Sequence, residues 1–209
     1  MNIFVVYTGM KLLLKQENLK EELAEKDIKD LKVISQKEFN KIVDNLYSLK
    51  INFRDIPNAV LLPNLKRKLR EELSILGKLY FTKRRFAHTN PNTKEKHNNQ
   101  NFRIEEYKGI LQWIKTSTYA IIEKESFYKT FMLIKLDKKN KEKVNILIFN
   151  EDKLGNFIVT LKKTDLTVLG NKNYELVGAG VEPAISLALS KRPTTLTSST
   201  TNSNKNILQ

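Results

Sequence analysis

The sequence predicts an α+β protein: N-terminal helices, then a helix packed on a four- to five-stranded antiparallel meander, then a disordered C-terminal tail. Three observations carry this. Capped and amphipathic helical patterns dominate the first part of the chain. Runs of β-branched and aromatic residues separated by turn signals follow. The last stretch then loses almost everything it could bury.

The opening "MNIFVVYTGMKLLL" is apolar but short, and Lys11 follows the apolar run instead of preceding it. It fits neither a secretory signal nor a membrane span, and is expected to be a short strand or the remnant of an upstream domain. Residues 15 to 32 alternate charges with Leu and Ile at helical spacing, giving an exposed helix or helix pair with a thin apolar stripe. "SQKEFNKIVDNLYSLK" begins on a capping box, Ser35 with Glu38, and Phe39, Ile42, Val43, Leu46 and Leu49 form one face. Pro57 and Pro63 mark "INFRDIPNAVLLPN" as an irregular connector. A further helix is expected from about Leu65 to Leu76, stopped by Gly77.

"KLYFT" reads as a strand, followed by a helical turn and a polar loop within "RRFAHTNPNTKEKHN". "RIEEYKGILQWIKTS" is an amphipathic helix carrying the single tryptophan, Trp113. "TYAIIEK", "YKTFMLIKLD" and "VNILIFN" are strands, with "KKNKEK" as a hairpin loop; "KLGN" turns into the last expected strand, "NFIVTLKKT". "EPAISLALSK" suits a short helix with Pro183 in its first turn, and "RPTTLTSSTTNSNKN" has no core to join. The expected division is a helical segment and connector over 1–64, an α+β domain over 65–177 and a Ser/Thr/Asn-rich tail over 178–209.

The 209 residues carry a formal net charge of +14, with a sequence pI near 9.7. Such an excess attracts polyanions, nucleic acid first; a Lys- and Asn-rich compositional bias is the plain alternative. With no cysteine, disulfides and thiolate zinc sites are excluded, and the chain reads as intracellular, with no membrane partner expected. There is no Gly-rich phosphate loop, nucleophile elbow or zinc helix. Asp137, Glu151 and Asp152 lie beside turns, where acidic residues are common anyway, so no metal site is expected.

What remains is His, Arg, Lys, Tyr and Thr, types from which metal-independent RNA cleavage can be built. A base takes the proton of the 2′-hydroxyl, which attacks its own phosphorus; an acid protonates the leaving 5′-oxygen; cations stabilise the transition state. No cofactor is needed. Histidine titrates near neutrality and suits either proton transfer, and this chain has only two, His88 and His97. If 83 to 88 forms a helical turn, Arg84 and His88 share a face at i and i+4, anchored by Phe81 and Phe86. Each candidate has a plainer reading. A loop histidine is usually solvated, Arg84 and Arg85 suit any surface, and Tyr107, Ile110, Leu111 and Trp113 fit a core stripe better than a stacking platform. Thr160 and Lys162, opposite Val159 and Leu161, fit a solvated strand face.

From "GKLYFTKRRFAH" to "NFIVTLKKT", about residues 75 to 175, the chain resembles the phage-associated barnase–EndoU–colicin–RelE-like nuclease domains of minor head proteins and Mu-like prophages. A strand like "LYFT", a histidine-bearing helix like "KRRFAH", a helix like "EEYKGILQWI" and a closing meander occur in that order. The resemblance implies RNA cleavage without metal, in a bacterial host cytoplasm or a phage particle. By position it makes His88 the acid or base, Arg84 or Arg85 a phosphate contact, and Thr160 or Lys162 the last-strand polar contribution. The second histidine of the family's pattern is displaced to His97 by the insertion Thr89 to Lys96. The expected site is therefore His88, His97 and Arg84 for catalysis, with Lys83, Arg85, Tyr107, Thr160 and Lys162 for substrate. Expected partners are RNA, with DNA as the second nucleic acid, and an immunity, antitoxin or phage structural protein. The competing expectation is a non-catalytic basic module that binds nucleic acid or serves a phage structure.

Overall fold

A computed structural model describes residues 31–48, 56–88, 102–124, 129–171 and 173–191. The expectations for residues 1–30, for His97 and its loop, and for residues 192–209 fall outside these segments. Within them the architecture is α+β. The helices are α1 (Gln36–Tyr47), α2 (Arg67–Glu72), α3 (Lys83–His88), α4 (Ile104–Lys108), α5 (Ile110–Thr116) and α6 (Pro183–Ser190). The strands are β1 (Ala59–Leu61), β2 (Leu79–Thr82), β3 (Tyr119–Glu123), β4 (Thr130–Leu136), β5 (Lys143–Glu151), β6 (Phe157–Asp165) and β7 (Tyr174–Gly178).

The meander β3–β6 folds as the alternation predicts, antiparallel at every step, and β7 adds a fifth antiparallel strand beside β3. The sheet order is β1-β2-β6-β5-β4-β3-β7. The antiparallel pair β1–β2 joins through a short parallel register, Leu79 opposite Phe157 and Tyr80 opposite Ile158. β6 is thus not the last strand. β7 was hidden because it is short and its outward residues include Leu176, leaving little alternation to read.

One face of the sheet carries the main core. Leu147, Phe149, Val159 and Leu161 meet α1 through Phe39, Val43 and Leu46, and α4–α5 through Tyr107, Ile110, Leu111 and Ile114. α1 forms where its capping box directs: Ser35 N–H donates to Glu38 Oε2 at 3.0 Å and Glu38 N–H to Ser35 Oγ at 3.2 Å. The opposite face is covered in part by α6, whose Ile185, Ala188 and Leu189 pack on Ile121, Met132, Ile134 and Val144.

Four expectations need correction. The boundary at residue 64 does not divide the structure: α1, β1 and Leu62 belong to the same core and sheet as the rest. β1 lies inside the connector read as irregular, because Pro57 and Pro63 flank the strand and owe no N–H to its ladder. The tail boundary at 178 falls too early: the short helix expected over "EPAISLALSK" forms as α6, with Pro183 in its first turn. The helix expected to end at Gly77 ends at Leu73, where Ser74 takes a φ of 50°. Ser74 N–H reaches Glu71 O and Ile75 N–H reaches Arg70 O, a Schellman closure made without glycine. Gly77 serves another need: a Cβ there would stand 1.8 Å from Gly155 O, so glycine permits the close approach at the start of the β2–β6 pairing.

Candidate nucleic-acid interface

β2 delivers the basic turn. Its four residues are buried, and Thr82 Oγ1 accepts from Arg85 N–H at 3.2 Å, capping the helix that follows. α3 then forms over "KRRFAH" and is pinned by Phe86, fully buried with its ring 4.3 Å from that of Phe81 in an edge-to-face contact. Lys83, Arg84 and Arg85 are half-buried around this anchor. His88 closes the turn four residues after Arg84, as expected of its backbone; its side chain lies outside the described atoms.

Thr160 and Lys162 sit on β6, next to β2. The β2–β6 pairing ends at Tyr80–Ile158, so Thr82 and Thr160 each lie two residues beyond the last pair, on adjacent strands. Lys162 is exposed, while the Oγ1 of Thr160 is buried without a hydrogen-bond partner. Lys83, Arg84 and Arg85 thus follow the end of β2, and Thr160 belongs to β6, the strand that β2 pairs with. Tyr107 does not belong with them. It is buried among Phe39, Tyr47 and Phe81, with Phe39 stacked at 5.9 Å, so its substrate role is corrected to a core role.

A second polar cluster escaped the sequence reading. Lys163 follows Lys162 and so points into the main core, where its Nζ donates to Asp137 Oδ2 at 2.5 Å and to Glu106 Oε2 at 2.8 Å. Arg103 Nη2 bridges the same carboxylates, 2.5 Å from Glu106 Oε1 and 3.3 Å from Asp137 Oδ1. Asn145 Nδ2 adds a bond to Glu106 Oε1 at 3.1 Å, and the N–H groups of Lys139 and Asn140 hold Asp137 Oδ1. Burial alone would raise both carboxyls. The bonds from Arg103, Lys163 and Asn145 outweigh it for Glu106, and those from Lys163 and the hairpin N–H groups for Asp137, holding each down to about 2. The signal was present in "FIVTLKKT", since a lysine in phase with Val159 and Leu161 must be buried and paired.

Arg103, Glu106 and Asn145 of this cluster line a cavity of about 400 Å³ beside the β4–β5 hairpin, together with Phe102, Glu105, Trp113, Lys135, Lys138 and Lys139. β2 runs parallel to β6, so the chain enters α3 heading toward the end of the sheet that holds Lys163. Among the described residues no helix is long and apolar enough to cross a membrane. No family model, curated protein or solved structure matches this chain.

Proposed function

We propose that this protein acts on RNA as a metal-independent endoribonuclease, with the β2–α3 junction as its active surface. The observation that carries the reading is the turn Lys83–His88, which sets three cations and a histidine on an anchor that Phe86 buries completely. Phosphate contacts of this kind need fixed cations, and a histidine four residues from Arg84 stands within one helical turn of a phosphate bound there. In this reading His88 exchanges a proton with the 2′-hydroxyl or the leaving 5′-oxygen. Arg84, with Arg85 and Lys83, holds the phosphate as the 2′-oxygen attacks phosphorus and the P–O5′ bond breaks. The products are a 2′,3′-cyclic phosphate and a 5′-hydroxyl, and the proton taken from the 2′-oxygen is balanced by the one given to the 5′-oxygen. Such an activity suits a toxin-like protein of prophage origin, acting in a bacterial host and restrained by an immunity or antitoxin protein.

The test is incubation with mixed RNA in the presence of chelator. Wild-type protein is expected to yield cyclic-phosphate ends, His88→Ala to lose cleavage by roughly a hundredfold or more, and RNA carrying 2′-deoxy linkages to resist. Unchanged cleavage by His88→Ala removes that residue from the mechanism. RNA bound in a salt-sensitive manner with no product formed overturns catalysis in favour of a binding module.

A further inference from the structure

The two edges of the sheet are finished differently. At one edge the chain ahead of α1 lies along β1: Val33 bridges Leu61, and Ile34 N–H donates to Leu61 O at 2.9 Å. At the other edge, among the described residues, no strand lies beyond β7. Ala179 N–H donates to Thr118 O and Lys124 N–H to Asn173 O, so the odd-numbered residues of β7 are the ones that bond β3. The N–H and C=O of Leu176 therefore point outward along the edge, as do those of Tyr174 and Gly178. Gly178 has no side chain and is exposed, so the backbone itself is open there. Open edges are usually blunted by lysine, proline, a bulge or a covering element. β7, "YELVG", holds neither lysine nor proline, and its register with β3 runs unbroken. Leu176 stands opposite Ile121, on the α6 side of the sheet, and is 39% exposed.

Charge sets this edge apart as well. Residues 173 to 190, which build β7 and α6, contain no lysine or arginine, although the chain has 37. Lys124, beside the start of the strand, is paired with Glu175 at 3.3 Å. A net charge of +14 holds copies of this protein apart over most of their surface. An acidic partner would be drawn to the basic turn at α3. A second copy of the chain is instead tolerated where cations are missing, and its own β7 supplies the strand that this edge lacks. We propose that two copies pair through β7, antiparallel about a twofold axis at Leu176. Each Leu176 N–H donates to Leu176 O of the other copy, Tyr174 comes opposite Gly178, and the two Leu176 side chains meet on the α6 side. β2 stands near the other end of the strand order, so the pairing leaves the basic turns of both copies uncovered. This inference rests on neither the RNA reading nor His88.

Two short strands bury far less than a standard interface, so the dimer is weak, with a dissociation constant on the order of 100 µM. Sedimentation of the full-length protein between about 5 µM and 1 mM should show the mass rise from 24.3 kDa toward twice that value. Added salt should strengthen the association, because it screens the repulsion between like-charged copies. Leu176→Lys, which blunts the edge, should weaken it about tenfold or more. Leu187→Lys, in a separate groove with Glu142 and Asp165, should leave it within about twofold. Hydrogen exchange of the wild type reads the edge itself and keeps the test valid if Leu176→Lys unfolds. The Leu176 N–H should exchange about tenfold more slowly in concentrated than in dilute protein, whereas the Val177 N–H, turned to β3, should be protected in both. A monomer at about 1 mM overturns the proposal. So does association that salt weakens, that persists undiminished in a folded Leu176→Lys or is lost in Leu187→Lys, or a Leu176 exchange rate that ignores concentration.

Discussion

Lys162 and Lys163 are neighbours in β6 with opposite surroundings. Lys162 faces outward and is exposed, on the side that also carries Thr160. Lys163 is 5% exposed, bound to two carboxylates, and 5.8 Å from the centre of the Phe102 ring. One step along a strand reverses the side-chain direction, and here it changes a solvated charge into a structural one. The two positions show that this chain uses its excess of lysine in two ways, and that net charge alone does not say which lysines are available to a polyanion.

The largest way to break the contrast is to remove both charges in turn. Lys163→Met leaves Glu106 and Asp137 buried with only Arg103 opposing them, and should cost about 3–5 kcal/mol of stability in chemical denaturation. Lys162→Met should stay within about 0.5 kcal/mol. Equal effects at the two positions would mean that the buried network is not the element that orders this end of the sheet. A smaller effect comes from acid. The carboxyls of Glu106 and Asp137 are held at about 2 in the fold, below their ordinary values of 4.5 and 3.8. Their contribution is therefore fully present above about pH 4.5 and is lost as pH falls toward 2. Because both draw on the same two cations, their joint loss should be on the order of 2–3 kcal/mol. Thermal melts between pH 7 and pH 2 check this. Glu106→Gln should flatten the fall below pH 4.5, and a decline already under way at pH 6 would point to histidine instead.

The meander, the capped α1 and the basic turn were legible because each rests on local rules: alternation, a capping box, and a short helix anchored by Phe81 and Phe86. Two misses are local, the short and weakly alternating β7 and the stop of α2 at Ser74; the others are long-range. Gly77 reads as a helix stop, yet its role comes from Gly155, far along the chain. β1 is three residues between prolines and exists because β2 pairs with it. The ion network joins Arg103, Glu106, Asp137, Asn145 and Lys163 from α4, the hairpin and two strands, and no spacing announces such a meeting. Asp137 reads as an ordinary turn acid, which it also is, since it accepts from the N–H groups of Lys139 and Asn140. Tyr107 was open to two readings, and its neighbours Phe39 and Tyr47, on a helix the sequence had placed in another domain, decide for the core.

The smallest effect sharpens the outward face. Thr160 Oγ1 is buried without a partner beside the β2–α3 junction. Thr160→Val keeps the shape and removes an unsatisfied hydroxyl, so stability should be unchanged or rise by up to about 1 kcal/mol. Because that oxygen is closed to solvent, it cannot itself touch RNA; the substrate role expected of Thr160 is corrected to packing at the junction, and Thr160→Val should leave RNA cleavage within about twofold of the wild type. Lys162, exposed on the same side of β6, is the residue there that RNA can reach, and in the RNA reading Lys162→Ala should weaken RNA binding several-fold and make it less salt-dependent. If Lys162→Ala binds and cleaves RNA as the wild type does, the outward face of β6 is a solvated surface, and the active surface contracts to the turn Lys83–His88 alone.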